Sequence, residues 1–597
     1  MSYRDMKPIY FFFFVFFIFC LPLQAQNTAS DSTSLSRVLT IEREYNPDIG
    51  NATKVNQLPE LREPQAPKSK VEFSNYAIPY SIQPELYQLP VQLYQSDINR
   101  IKKTGYLTVG ISSSPNIDGD FGIQLLNTAK NYMGIQASHR SSHSNVTYLQ
   151  NEEKQKMKIN DNLGNIHFLH NFEKVRLNMD ATYTYAAFNY YGYILPNIFA
   201  EIPSYSSSVI TNKDLTQVNN LFETNAGIES SGDQDLSFLL KLNYRRFGQK
   251  YGNYIEEDGR TENQFRVDAG LATDIKQEMT LAVNGGIQTF SYSSHPSYED
   301  SSFGNVNYSV IRLNPHLKVK GSNWNLRLGI KEEFQIGKNK EANFSPDIWF
   351  DFMPKKYFRL DFIATGGIKD NSNYNLFYEN RYLNPAYRLK DARSPLDLRL
   401  NLGFLPADNL KLDLFGGFKI IKDEHFMHSF QKGYFFFPGD NEAWNNYLTQ
   451  NYMLASYFDV DLLNVGLGVS YSLQDRFELK VKGAYNKWSE RVSDVERGEF
   501  IPYGKPDFIG DINLGFKAEN LPLRIDAYYH LETGRTLWHT SNDSNTINDL
   551  SLKATYSLND TFSFYAKVNN LLFQEYDFFY GHPAQSFNIM GGLSIKF

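Results

Sequence analysis

From about Gly105 onward the sequence alternates. In "FELKVKGAY", Phe477, Leu479, Val481, Gly483 and Tyr485 fall on one side and Glu478, Lys480 and Lys482 on the other. "WNLRLGI" sets Trp324, Leu326, Leu328 and Ile330 against Asn325, Arg327 and the following Lys331. "YFRLDFIA" sets Phe358, Leu360, Phe362 and Ala364 against Arg359 and Asp361. Successive side chains of a strand point to opposite faces, so period two with one apolar face signals a strand. A soluble sandwich shows the same period. Here the second face is charged in strand after strand, over segments of about ten residues, as in a wall with lipid on one side and water on the other. The charged set Arg327, Lys331, Arg359, Asp361, Glu478, Lys480 and Lys482 is the candidate lumen wall.

Composition agrees. Aromatics make up 15% of the chain, with 40 Tyr and 46 Phe, which suits a membrane barrel whose rims carry aromatic girdles. The first residues read as a targeting segment: Arg4 and Lys7 precede an apolar run from Ile9 to Leu21, and Leu23-Gln24-Ala25 offers a cleavage site. The apolar run is short of the ~20 residues of a spanning helix. Residues 1–25 are therefore expected to be a signal peptide. Cys20 lies inside it and is the only cysteine, so the mature chain has no disulfide and no cysteine-based metal site. Net charge is −7, and no basic patch or Lys/Arg run points to nucleic acid, so no nucleic-acid partner is expected.

Residues 26–103 differ in texture. Prolines at 47, 59, 64, 67, 79, 84 and 90 remove backbone donors and disfavour helix and sheet interiors. The expectation is an extended periplasmic segment with one short helix around Leu35 to Glu44, serving as a disordered linker, or as an arm that binds a periplasmic or outer-membrane partner or enters the lumen.

Residues 104–597 form the barrel in this reading. Tight turns are expected near Ala129-Lys130, Phe172-Glu173, Gly232-Asp233, Asp274-Lys276, Gly321-Asn323, Pro354-Lys356, Pro406-Asp408, Gln474-Arg476, Glu519-Asn520 and Asn559-Asp560. Longer loops are expected at 189–216, 249–259, 293–303, 370–394, 423–446, 489–505 and 534–546. Short turns facing the periplasm and long loops outside are the outer-membrane layout. Ten hairpins plus a first strand near 104–112 and a last near 585–597 give an all-β, antiparallel transmembrane barrel of about 22 strands. Extra strand in 423–460 would change the count by two.

The chain ends "SFNIMGGLSIKF", with Phe587, Ile589, Gly591, Leu593, Ile595 and Phe597 on one face. A closed barrel needs such a strand to pair with the first, because an open edge in lipid leaves backbone groups unsatisfied. Phe587, Ile589, Leu593, Ile595 and Phe597 resemble the C-terminal signal of bacterial outer-membrane barrels, which implies reading by the insertion machinery. More widely, "AKVNNLLFQEYDFFYGHPAQSFNIMGGLSIKF" resembles the end of TonB-dependent receptor barrels, through Asn570, Leu571, Leu572, Phe573, Tyr576, Gly581, Pro583, Gly592 and Phe597. One Leu is extra, and the Gln585-Ser586 region stands where an Arg is usual. "NRYLNPAYRLKDARSPLDLRLNLGF" resembles that family's Asn-Pro loop. The family carries a plug of well over a hundred residues behind a TonB-contacting box; residues 27–103 are too short and proline-rich for such a plug, and no box follows the signal.

Chemistry motifs are thin. No G-x-S-x-G, P-loop or H-E-x-x-H stretch is present, so the reading is a non-enzyme with no cofactor and no metal. His139 and His143 are read as a solvated hairpin tip, His167 and His170 as opposite faces of a strand, and His425 and His428 as loop residues beside Asp423 and Glu424. The loops are ring-rich, and Tyr374, Phe377, Tyr378, Tyr382, Tyr434 and Trp444 are the candidate ligand surface, since Tyr and Trp offer large contact area with a polar handle. Self-packing of the loops is the plainer role for the same rings. Two functions follow: solute passage across the outer membrane, as the family resemblance implies, or a structural or assembly subunit with an occluded barrel. Besides protein partners, outer-membrane lipid is the expected surrounding.

Overall fold

The structure, a computed structural model, describes residues 103–193, 216–231, 236–251, 259–293, 306–337, 340–384, 389–429, 453–474, 476–491, 500–537 and 546–597. The signal segment, the short helix expected near Leu35, and Tyr434 and Trp444 lie outside the described residues. Among those described, 22 antiparallel strands form one sheet, each bonded to its neighbours along the chain. The first strand, Gly105–Ser112, also pairs with the last, Asn588–Lys596, from Tyr106↔Lys596 to Ser112↔Met590. The sheet is thus a closed barrel with no edge left to satisfy. The Phe597 carbonyl accepts from the Thr104 and Gly105 amides at 2.7 and 2.8 Å, and the Phe597 amide donates to the Gly105 carbonyl at 2.9 Å. No helix among the described residues is long and apolar enough to cross a membrane.

One end of the barrel carries the short turns. Strands break between Asn127 and Asn131, Asn171 and Val175, and Lys320 and Trp324, where Asn, Gly and Ser chemistry predicts turns. At Asn559 the side-chain oxygen accepts from the Thr561 and Phe562 amides, both at 2.8 Å. The turn expected at Asp274-Lys276 falls slightly later, because the strand Arg260–Lys276 continues before its partner Met279–Tyr292 begins.

Neighbouring strand residues differ in exposure and partners. Leu328 and Ile330 are exposed on the outer face, while Arg327 bonds Asp347 at 2.5 Å inside. Lys331 donates to Thr365 at 2.7 Å, and Arg359 joins Asp351 and Asp361 at 2.8 and 3.1 Å. Glu478 lies 3.7 Å from Arg524. Lys480 and Lys482 share this interior face, with Lys482 Nζ 5.8 Å from the Phe415 ring.

The wall is uneven. The closing strands are 8 and 9 residues long, near the ~9–11 that a tilted strand needs to span a bilayer. Across the barrel, Leu410–Ser429 and Met453–Leu473 reach 20 and 21 residues. This corrects the expected 423–446 loop: the strand runs on to Ser429 after a bulge between Ile421 and Glu424, where Asp423 takes a φ of 54°. His425 and His428 are accordingly strand residues, not loop residues. His139 and His143 likewise lie within Asn131–Thr147 instead of at a hairpin tip, and His139 Nδ1 is 2.7 Å from Asn162.

Candidate functional site

The barrel's most buried apolar residues sit at the long-loop end, where the connection between Phe358–Lys369 and Ala392–Ala407 turns inward. Its one described helix, Asn373–Glu379, starts at Ser372, whose hydroxyl accepts from the Asn375 amide. A Ser N-cap satisfies an otherwise orphan donor and fixes where the helix begins. Seven residues form a marginal helix alone, so its surroundings must hold it.

They do so from many strands. Asp370 accepts from Gln288 at 3.2 Å and the Asn373 amide donates to Glu262 at 2.7 Å. The Arg245 guanidinium lies 4.0 Å over the Tyr374 ring, which also packs on Phe247 and Tyr378. Leu376 is buried among Leu383, Leu389, Met427 and Ala455. Phe377 packs on Phe188 and Phe247. At the far stem, Asp391 accepts from Tyr308 at 3.1 Å and Gln335 at 3.2 Å.

Two ion pairs decide the geometry. Glu379 meets His425 Nε2 at 2.6 Å and Lys505 Nζ at 3.1 Å. Arg381 meets both carboxylate oxygens of Asp161 at 2.9 and 3.1 Å. Asp161 is on the fourth strand, Lys154–Asn171, and His425 on the fifteenth, Leu410–Ser429. Eleven strands apart on a ring of twenty-two is the opposite wall. Residues two apart in sequence are therefore held from both sides, and the segment crosses the mouth. Burial pushes the Glu379 carboxyl up, but the field of His425 and Lys505 outweighs it and holds it well below the usual range.

A second inward element completes the cap. Tyr382 stacks on His582 at 4.3 Å and packs with Phe188, Tyr190 and Tyr191. His582 belongs to a small hairpin, Asp577–Phe579 with His582–Pro583, tied to the wall by Tyr193 N–H to the Gly581 carbonyl at 2.7 Å. Gly192 lies so close that a Cβ there would strike the His582 ring, and Gly581 takes a φ of 71°. Gln150 and the Gly581 amide both donate to Asp577 at 2.8 Å. Of the candidate ligand surface, Tyr382 is thus buried in the cap, Tyr374 and Phe377 are partly buried against the wall, and Tyr378 is exposed. Sequence reasoning singled out these rings but missed Asp161, Glu379, Arg381 and Lys505, which no local pattern marks. Among the described residues no three His, Cys, Asp or Glu side chains gather to hold a metal.

A closed 22-strand barrel with charged interior and apolar exterior, capped at its long-loop end, has the fold of an outer-membrane receptor or transporter barrel. Solved structures bear this out. The FrpB iron transporter of Neisseria meningitidis aligns over 83% of this chain and 82% of its own, with a TM-score of 0.60 at 10% identity. A ferric enterobactin receptor (PfeA) mutant of Pseudomonas aeruginosa, bound to enterobactin, aligns over 83% and 81%, with a TM-score of 0.61 at 13% identity. The copper transporter OprC aligns over 83% and 82%, with a TM-score of 0.58 at 11% identity. The resemblance of the barrel to TonB-dependent receptors, drawn from its C-terminal residues, therefore holds at the level of fold. No family model and no curated protein matches the sequence.

Proposed function

We propose that this protein admits a solute across the outer membrane through a barrel whose outer mouth is closed at rest by residues 370–384 and 389–391. The observation that carries the reading is the pairing of Glu379 and Arg381 with opposite walls. Solute transport is supported by the solved structures of like fold, whose titles name iron and copper transporters and a ferric enterobactin receptor. In this reading residues 1–25 direct export and are removed, the long-loop end faces outward, and residues 26–103 meet a periplasmic partner. The charged wall keeps the interior wet, and opening requires the cap to release its contacts with one wall.

The same cap supports a second reading, in which the barrel is a structural or assembly subunit and never opens. Single-channel conductance of the mature chain in planar bilayers separates the two. Transport through a gated mouth predicts silence at rest and discrete steps once Glu379 or Arg381 is replaced by Ala. Silence in both variants, with the cap shown released by amide exchange, would overturn the gated pore in favour of the scaffold.

A further inference from the structure

The outward face of the barrel carries two charges of opposite sign where the surrounding wall is apolar. Glu332 lies on the eleventh strand, Trp324–Ile336, with Leu313 and Phe344 as its register partners on either side. Register partners share a face, and Leu313 and Phe344 are 39% and 56% exposed on the outside. On its own strand Ile330 stands below it and Phe334 and Ile336 above, all exposed, so the carboxylate is set within the apolar band and not beyond its rim. Arg246 lies on the seventh strand, Leu236–Gln249, beside the exposed Phe222 and with Asn263 on its other flank. Its chain neighbours Arg245 and Phe247 face inward, to Glu223 and to Tyr374.

No charged side chain stands next to either residue on the outer face, and among the described residues neither enters an ion pair or a side-chain hydrogen bond. Ionisable groups at membrane depth are costly, and they pair with one another.

The two are placed to meet across copies. Strands seven and eleven flank strand nine, two strands away on either side. Arg246 is the sixth outward position counted from Leu236 and Glu332 the fifth from Trp324, both strands starting at the short-turn end. One outward position in a tilted strand is roughly 5 Å of height, so the charges stand at nearly one level. Two copies in one membrane have parallel axes, and a two-fold axis along the membrane normal keeps every residue at its own height. With that axis beside the ninth strand, Arg246 of each copy faces Glu332 of the other. Two cylinders touch first along the strand nearest the axis. There Gly285, in register with Ala269 and Leu313, presents no side chain. The walls can therefore approach closely, and the long Arg and Glu side chains at the flanks come within reach.

We infer that the outer wall from the seventh to the eleventh strand is the interface of a two-fold homodimer in the membrane, closed by two reciprocal Arg246–Glu332 pairs. Opposite charges across a contact fix its register and its partner, while like charges repel. The interface does not depend on the transport reading, because cross-linking scores it whether the barrel opens or not.

The test is disulfide formation in outer membranes under an oxidant, in the full chain carrying Cys20→Ser, so that the introduced thiol is the only one. Gly285→Cys places a thiol beside the two-fold axis and should give a species of twice the protomer mass. Phe564→Cys, exposed on the far wall, should not. Added to Gly285→Cys, either Glu332→Arg or Arg246→Glu sets like charges against each other and should cut the yield roughly tenfold or more. The combined exchange, Arg246→Glu with Glu332→Arg, should restore the yield, and it serves if a single reversal does not assemble. Absence of the cross-link in Gly285→Cys, an equal yield from Phe564→Cys, a yield indifferent to the single reversals, or a combined exchange that fails to restore the dimer would overturn the interface.

Discussion

Glu379 and Arg381 are separated by one residue and bound to walls eleven strands apart, Glu379 by His425 at 2.6 Å and Arg381 by Asp161 at 2.9 Å. A short helix with little stability of its own is thereby stretched across the mouth. The two contacts oppose each other, so the loss of either weakens the hold on one wall and leaves the segment to its other contacts, such as Asn373 to Glu262 and Tyr374 under Arg245.

Glu379→Ala removes the shared acceptor of His425, which is fully buried, and Lys505, which is nearly so. Deleting one partner of a buried ion pair costs about 3–5 kcal/mol, because the other charge stays buried and unpaired. At about 1.4 kcal/mol per factor of ten, the closed state should lose roughly two to three and a half orders of magnitude of preference. Conductance steps should appear in planar bilayers, with no change in heat resistance of the barrel itself.

Arg381→Ala should act more gently, since Asp161 retains access to water. Hydrogen bonds to a charged group contribute about 1.5–3 kcal/mol. Amide exchange at Leu376 and Asn380, whose N–H groups are bonded within the helix at 3.0 and 2.8 Å, should quicken accordingly. Asp161→Ala should have the same effect, and the double variant should add little to either single change. Additive effects would show that the two side chains do not act as a pair.

The barrel was legible in the sequence and the cap was not. Strand parity, turn residues and the closing strand are local features, each written within about ten to fifteen residues, and they predicted the 22 strands. The cap rests on pairs 46 and 220 residues apart, and no periodicity links Glu379 to His425 or Arg381 to Asp161. The misplaced start of the 423–446 loop has the same origin. Strand parity does not tell where the bilayer ends, and the extra turns of Leu410–Ser429 exist to back Leu376 and Glu379. Tyr382 and Phe377 were visible as rings, but the packing that buries them comes from strands far away in sequence.

Acid should pull the cap in two directions. Burial pushes the His582 imidazole down to about 4 from 6.5, so its contribution is present above 6.5 and is lost as pH falls toward 4. Burial pushes the Asp577 carboxyl up to about 6 from 3.8, so its contribution is present below 3.8 and is lost as pH rises through 6. Each is worth roughly 3 kcal/mol at most, and they oppose each other across the same window. The natural cap should therefore change little between pH 6.5 and 4. Asp577→Asn removes the compensation and should make hairpin protection, corrected for the intrinsic pH dependence of amide exchange, fall as pH falls, whereas His582→Gln should make it rise. Parallel pH profiles for the three proteins would refute this balance.

Two adjacent glycines in the closing strand should respond oppositely to the same change. Gly592 pairs with Gly110 on one side and Tyr565 on the other, and a Cβ there would run into the Tyr565 ring. Gly591 points to the other face, where a Cβ would meet nothing within 4 Å. Forcing volume into a filled site costs about 1–3 kcal/mol. A β-branched residue in an open strand position instead gains, by up to about 1 kcal/mol, because glycine gives up more backbone freedom on folding and packs nothing. Gly592→Val should lower the temperature at which the barrel loses its folded mobility on a denaturing gel, and Gly591→Val should leave it unchanged or raise it. Equal effects would mean that the flat seat of Tyr565 plays no part in holding the seam closed.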